Sequence, residues 1–194
     1  MQASWPSENI VLGLLCERPM HGYELSRLVQ EDEALRAIWR IERSEIYFLL
    51  RKLLKGGLIE ESASEQAGGP VRVIYAPTAT GRAEYNLWLR TPEPRPRNLR
   101  SALLARVYMA LRQDPQVAVE LIDAQKQNLG EWLERVRQDH PANEVVALVH
   151  RLRAAQVSAT LEALDELRTL AQTRWQPPGN SRQQAESAKV PAED

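Results

Sequence analysis

Between residues 43 and 54 the apolar side chains Ile46, Leu49, Leu50, Leu53 and Leu54 fall at i, i+3, i+4, i+7 and i+8, the spacing of one buried helical face. Gly56 and Gly57 follow at once, and then two strand-like runs, LIEES and VRVIYA, separated by the turn-rich ASEQAGGP. This order constrains the chain more than any other feature. It predicts a helix that stops at glycine, where positive φ is free, and feeds a hairpin with a flexible tip. Ser44 is expected to cap the helix. Its outer side would then carry Ser44, Tyr47, Phe48, Arg51, Lys52 and Lys55, two aromatic rings interleaved with three cations on a solvated face.

Upstream, Ser7 suits the N-cap of a first helix carrying Ile10, Val11, Leu14 and Leu15, which Pro19 stops. A second short helix places Leu25, Leu28 and Val29 on one face, with His21 at its start. Segment 31–41 shows only the alternation of Trp39 and Ile41, expected as a brief extended piece. Downstream, Thr78 or Thr80 would cap a helix through Tyr85, Leu87, Trp88 and Leu89. Helices this short need tertiary partners. Three helices, a hairpin and one more helix describe a winged helix-turn-helix unit, whose third helix offers its outer face to the DNA major groove.

The stretch TPEPRPRN, residues 91–98, holds three prolines and marks a boundary. Beyond it, helical patterns cover 99–111, 116–138 and 143–172. The second bears a stripe of Ala118, Leu121, Ile122, Gln125, Leu129, Trp132, Leu133 and Val136. The third has Val145, Val149, Leu152, Ala159, Ala163, Leu167 and Leu170 on one side, and Val157, Leu161 and Leu164 on another. At 1.5 Å per residue this helix would be about 45 Å long, more than a small domain covers, so it is expected to cross to a second copy of the chain. The expected organisation is a mainly α protein with a small β-wing: a DNA-binding domain over 1–90, a proline-rich linker over 91–98, a helical dimerisation domain over 99–172 and a polar, disordered tail over 173–194.

A net charge of −1 argues against indiscriminate nucleic-acid binding, yet residues 40–55 hold five cations against two carboxylates. No apolar run reaches the roughly 20 residues of a membrane span, and MQASWPSEN lacks a signal-peptide pattern, so a cytoplasmic location is expected. The single cysteine, Cys16, lies in the apolar run IVLGLLC and reads as a packed side chain without a base partner. His21, His140 and His150 show no metal-ligand spacing, and no glycine-rich phosphate loop is present. Neither a cofactor nor enzymatic activity is expected.

At this point the residues resemble the PadR-type bacterial transcriptional regulators. ENIVLGLLCERPMHGYELSRL is similar to that family's opening helix and His-Gly-Tyr-Glu-Leu element, here His21 to Leu25. IERSEIYFLLRKLLKGGLIEE resembles its recognition helix through Tyr47, Leu50, Leu53, Gly57, Leu58 and Ile59, and GGPVRVIYAPTATGRAEYNLWL resembles its wing and following helix through Gly69, Tyr75, Thr78, Gly81 and Arg82. A weaker likeness extends over 99–170. The resemblance implies a homodimeric repressor on an inverted-repeat operator, often released by a small phenolic compound or drug. The chain departs from the family at Ser44 and Phe48, where Gly and Pro are usual, and in a wing whose only cation is Arg72.

The candidate DNA-binding set is Arg43, Ser44, Glu45, Tyr47, Phe48, Arg51, Lys52, Lys55 and Arg72, with phosphate neutralisation expected of Lys52 and Arg72 and guanine readout open to Arg51. Trp88 and Trp132 are candidates for stacking on a flat aromatic effector, against the plainer role of core anchors. The expected partners are double-stranded DNA, a second copy of the chain and a small-molecule effector, with no membrane. The rival readings are a winged-helix protein-interaction module and a small-molecule-binding helical sensor.

Overall fold

The computed structural model describes residues 6–65, 72–93, 99 and 101–175. Helix α1 (Pro6–Glu17) is apolar on nearly every side, and Ile10, Val11, Leu12, Leu14 and Leu15 are each at most 1% exposed. A helix greasy all round belongs in a core. Ser7 does not cap it. Pro6 opens the helix with its preset φ, and the buried Ser7 hydroxyl accepts a hydrogen bond from the Trp39 indole at 2.9 Å.

Helix α2 (Gly22–Glu31) starts as expected at His21, whose Nδ1 accepts from the Glu24 amide at 3.1 Å. Segment 31–41 is not simply extended. It holds helix α3 (Glu33–Ile38), capped by Asp32, which accepts from the Leu35 amide at 2.9 Å; only from Trp39, at φ −148° and ψ 108°, does the chain extend. Helix α4 (Arg43–Lys55) buries Ile46, Leu49, Leu50 and Leu53. Ser44 lies inside it, and the cap is Glu42, which makes no side-chain capping bond. Ile41, 1% exposed, anchors the chain just upstream, so tertiary packing fixes the start and not a hydroxyl. The stop is as expected: Gly57 has φ 68°, a value that L side chains rarely adopt.

Strands β2 (Ile59–Glu65) and β3 (Arg72–Pro77) pair antiparallel with a bulge between Glu61 and Ala63. The connector expected over 63–70 begins later than that: β2 runs on through residues 63–65, and 66–70 lies outside the described residues. A third strand, β1 (Met20–His21), pairs with the other edge of β3 and completes a sheet of order β1-β3-β2. Thr78 caps α5 (Ala79–Arg90) by accepting from the Gly81 amide at 3.0 Å.

Three helices follow: α6 (Ser101–Gln113), α7 (Pro115–Gln138, capped by Asp114) and α8 (Glu144–Thr173, capped by Asn143). Of the expected linker, 94–98 lies outside the described residues, as does the tail from 176 onward; α8 itself runs to Thr173. The core does not stop at residue 91. α6 packs on α1, α3 and α5, and its Leu103, Val107, Met109 and Leu111 join the cluster built around α1. A polar joint fixes this contact. Arg112, with 8% of its side chain exposed, donates to both Glu17 carboxylate oxygens and to Asp32 Oδ2, each at 2.7 Å, while the Tyr108 hydroxyl donates to Asp32 at 2.7 Å.

α7 buries its predicted stripe from Ala118 to Leu133 except Trp132, which like Val136 is half-buried; the amide of the buried Gln125 exchanges hydrogen bonds with the Glu93 backbone. α8 lies along α7 through Val157, Leu164 and Ala171, flanked by Arg168 to Asp123 and Lys126 to Asp165 ion pairs. Its larger apolar set points elsewhere: Val145, Leu148, Leu152 and Leu170 are exposed.

Candidate nucleic-acid interface

At about 100° per residue, Ser44, Phe48, Arg51 and Lys55 fall on one line of α4, opposite the buried leucines. All four are exposed, and Phe48 is 57% so, a large ring left facing solvent. Two neighbours flank this line and fasten the helix. Tyr47, 41% exposed, lies over the first residue of α2, where a Cβ on Gly22 would come within 2.9 Å of its ring. On the other flank the Lys52 ammonium is paired with Glu8 of α1. Lys52, expected as a phosphate contact, thus has its partner inside the chain. Glu45 is half-buried at the base of the helix.

The remaining cations divide in the same way. Arg18 is paired with Glu24 at 2.6 Å and Arg40 with Glu42 at 2.8 Å. Among the described residues, Arg43, Arg51 and Lys55 have no carboxylate within ion-pair distance. Three uncompensated cations around one exposed aromatic ring make a local positive field on a chain whose net charge is −1. From the wing, Tyr75 of β3 approaches this field. Burial and the neighbouring Glu61 push its hydroxyl up, and Arg51 acts against them. The Arg72 side chain lies outside the described side chains.

Tyr23 is the tyrosine of the His-Gly-Tyr-Glu-Leu element. It is 54% exposed on the first turn of α2, and the Arg43 guanidinium carbon sits 5.8 Å from its ring centroid. No sequence pattern signals this contact, because it joins residues on different helices.

Away from α4 the chemistry is sparse. Trp88 is engaged by its neighbours, with Tyr85 stacked at 6.0 Å between centroids and the Arg106 guanidinium 5.2 Å from its ring centre. Trp132 is half-buried against the core cluster. Burial pushes the half-buried Cys16 thiol up to about 11, which leaves it protonated at neutral pH. No group of three or more His, Cys, Asp or Glu among the described residues could hold a metal ion, and no described helix is long and apolar enough to cross a membrane.

Residues 11–87 match the transcriptional regulator PadR-like family. The probable transcriptional regulator Rv1176c of Mycobacterium tuberculosis is 32% identical over 82 residues, 42% of this chain and 42% of that protein. The negative transcriptional regulator PadR of Bacillus subtilis is 27% identical over 117 residues, 60% of this chain and 63% of that protein. The chain therefore spans less than two thirds of the length of either relative. Among solved structures, Bacillus subtilis PadR in complex with operator DNA aligns with 84% of this chain and 97% of its own, at 20% identity and a TM-score of 0.43. The match from the centre of α1 to the last turn of α5 takes in the whole described wing and α4, so over residues 11–87 the chain is similar to the transcriptional regulator PadR-like family.

Proposed function

We propose that the protein is a sequence-specific DNA-binding transcriptional regulator, a repressor that works as a homodimer on an inverted-repeat operator. One observation carries this: α4 leaves Phe48, Arg51 and Lys55 exposed on one line, with neither cation bound to a carboxylate among the described residues, while nearby Lys52, Arg18 and Arg40 are all paired. Cations that only decorate a helix gain little from exposure. Cations that meet phosphate release counterions and make affinity fall steeply with salt.

The dimer in this reading is supported by α8. Val145, Leu148, Leu152 and Leu170, together with Leu104 of α6, are apolar and exposed, off the line of Val157, Leu164 and Ala171 that packs on α7. A second copy covering it would place two α4 helices in successive major grooves, about 34 Å apart. Release by a small aromatic effector belongs to the same reading, and quenching of tryptophan fluorescence, compared with a Trp132→Phe variant, reports it.

The test is a gel shift on the DNA upstream of the protein's own gene at 50 and 200 mM salt. A complex that weakens by orders of magnitude between the two, and is lost in the Arg51→Ala, Lys55→Ala double variant, supports the reading. Unchanged binding in that variant would remove α4 as the reader. Affinity indifferent to salt would favour a protein-docking winged helix.

A further inference from the structure

We infer that Tyr23 and Arg43 together form a phosphate clamp that grips the DNA backbone beside the groove occupied by α4. The inference rests on α4 being the DNA-reading helix and adds a contact from outside its reading line.

Arg43 is the first residue of α4, and its guanidinium lies against the Tyr23 ring, 5.8 Å from the centroid. Tyr23 belongs to the first turn of α2, the helix that Tyr47 touches one turn further along α4. The pair thus sits on the α2 flank of the reading helix, next to the line of Ser44, Phe48, Arg51 and Lys55. In a helix-turn-helix the second helix enters the groove while the first crosses the backbone, so a cation on this flank meets phosphate and not a base edge.

The chemistry suits that place. A guanidinium held over a ring by its cation–π attraction still has N–H groups to offer, and these match two phosphate oxygens at once. The ring also restricts a long side chain before DNA arrives, which lowers the entropy lost on binding. Arg43 stands at the positive end of the α4 dipole, which favours an anion there. The nearby carboxylates Glu24 and Glu42 are taken by Arg18 and Arg40, and Arg43 has none within ion-pair distance among the described residues. Arg43 is therefore the contacting group, and Tyr23 a positioning residue that acts through it.

The experiment is fluorescence anisotropy of the full chain with two labelled 30-base-pair duplexes, one from the DNA upstream of its own gene and one of random sequence, between 50 and 200 mM NaCl. Arg43→Ala should flatten the plot of log affinity against log salt by about 0.9 per protomer, equally on both duplexes, because a phosphate carries no sequence. Tyr23→Ala should weaken both duplexes about two- to fivefold, the size of an exposed cation–π contact, and Tyr23→Phe should restore binding because the ring does the work. In an Arg43→Ala background, Tyr23→Ala should change nothing further. Both side chains are exposed, and a thermal melt checks that the fold is intact. An unchanged slope in Arg43→Ala, with a flattened slope in Arg51→Ala, overturns the clamp and leaves α4 as the reader. Indifference of binding to both arginines removes α4 as the reader and the clamp with it.

Discussion

Helices α1 and α8 are both rich in aliphatic residues, and the fold treats them in opposite ways. α1 spans 12 residues, and its run from Asn9 to Leu15 is buried without a break. α8 spans 30 residues and buries only Val157, Leu164 and Ala171. Leu14 is 0% exposed, whereas Leu152 is 58% exposed. Apolar content alone therefore does not say which helix is the core. What separates them is company: α1 is surrounded by α4, α5, α6 and β3, while among the described residues the chief partner of α8 is α7. Among the described residues nothing covers Val145, Leu148 or Leu152, in keeping with the dimer proposed above.

The contrast can be broken experimentally at several strengths. The largest effect is expected where α6 is fastened to the α1 region. Arg112→Ala would leave Asp32, 5% exposed in its side chain, without its cation, and should destabilise the fold by about 3–5 kcal/mol in urea titration. Next comes truncation of the two helices themselves. Leu14→Ala should cost about 2–5 kcal/mol, whereas Leu152→Ala should leave protomer stability within about 0.5 kcal/mol and act on association, read by analytical ultracentrifugation. Equal stability losses at the two positions would erase the contrast. The smallest effect is chemical. With its thiol raised to about 11, Cys16 should react with a thiol reagent at pH 8 as though only about a thousandth of it were thiolate, speeding up as the pH climbs toward 11. A cysteine placed at Leu152, in a Cys16→Ser background and with enough dilution to keep protomers apart, should react at the rate of an ordinary exposed thiol.

Much of this organisation was legible in the residue pattern. The leucine face of α4, its stop at Gly57, the hairpin and the three later helices each leave a periodic or turn signal that depends only on neighbours in sequence. What failed were features decided at a distance. Ser7 and Ser44 are good capping residues, yet both lie inside their helices, and the start of α4 is anchored by the buried Ile41 instead. α3 is six residues long, too short for a period to show, although Asp32 marks its cap. β1 has two residues and exists only because β3 offers an edge. In the candidate interface, the rings and cations of α4 were visible, but their division of labour was not: Glu8 lies 44 residues from the Lys52 it holds, and Tyr23 lies 20 residues from the Arg43 it meets. Spacing says which way a side chain points and nothing about who waits there.

The Asp32 carboxylate has one further consequence. Its two oxygens together accept from the backbone at the start of α3, from Tyr108 and from Arg112, so the corner between α2 and α3 is bolted to α6 without slack. A tilt of α6 there strains the Tyr108 and Arg112 contacts to Asp32, so the corner is drawn along with it. The same joint therefore ties the α6 to α8 arm to the short helices that precede α4, the helix proposed above to read DNA.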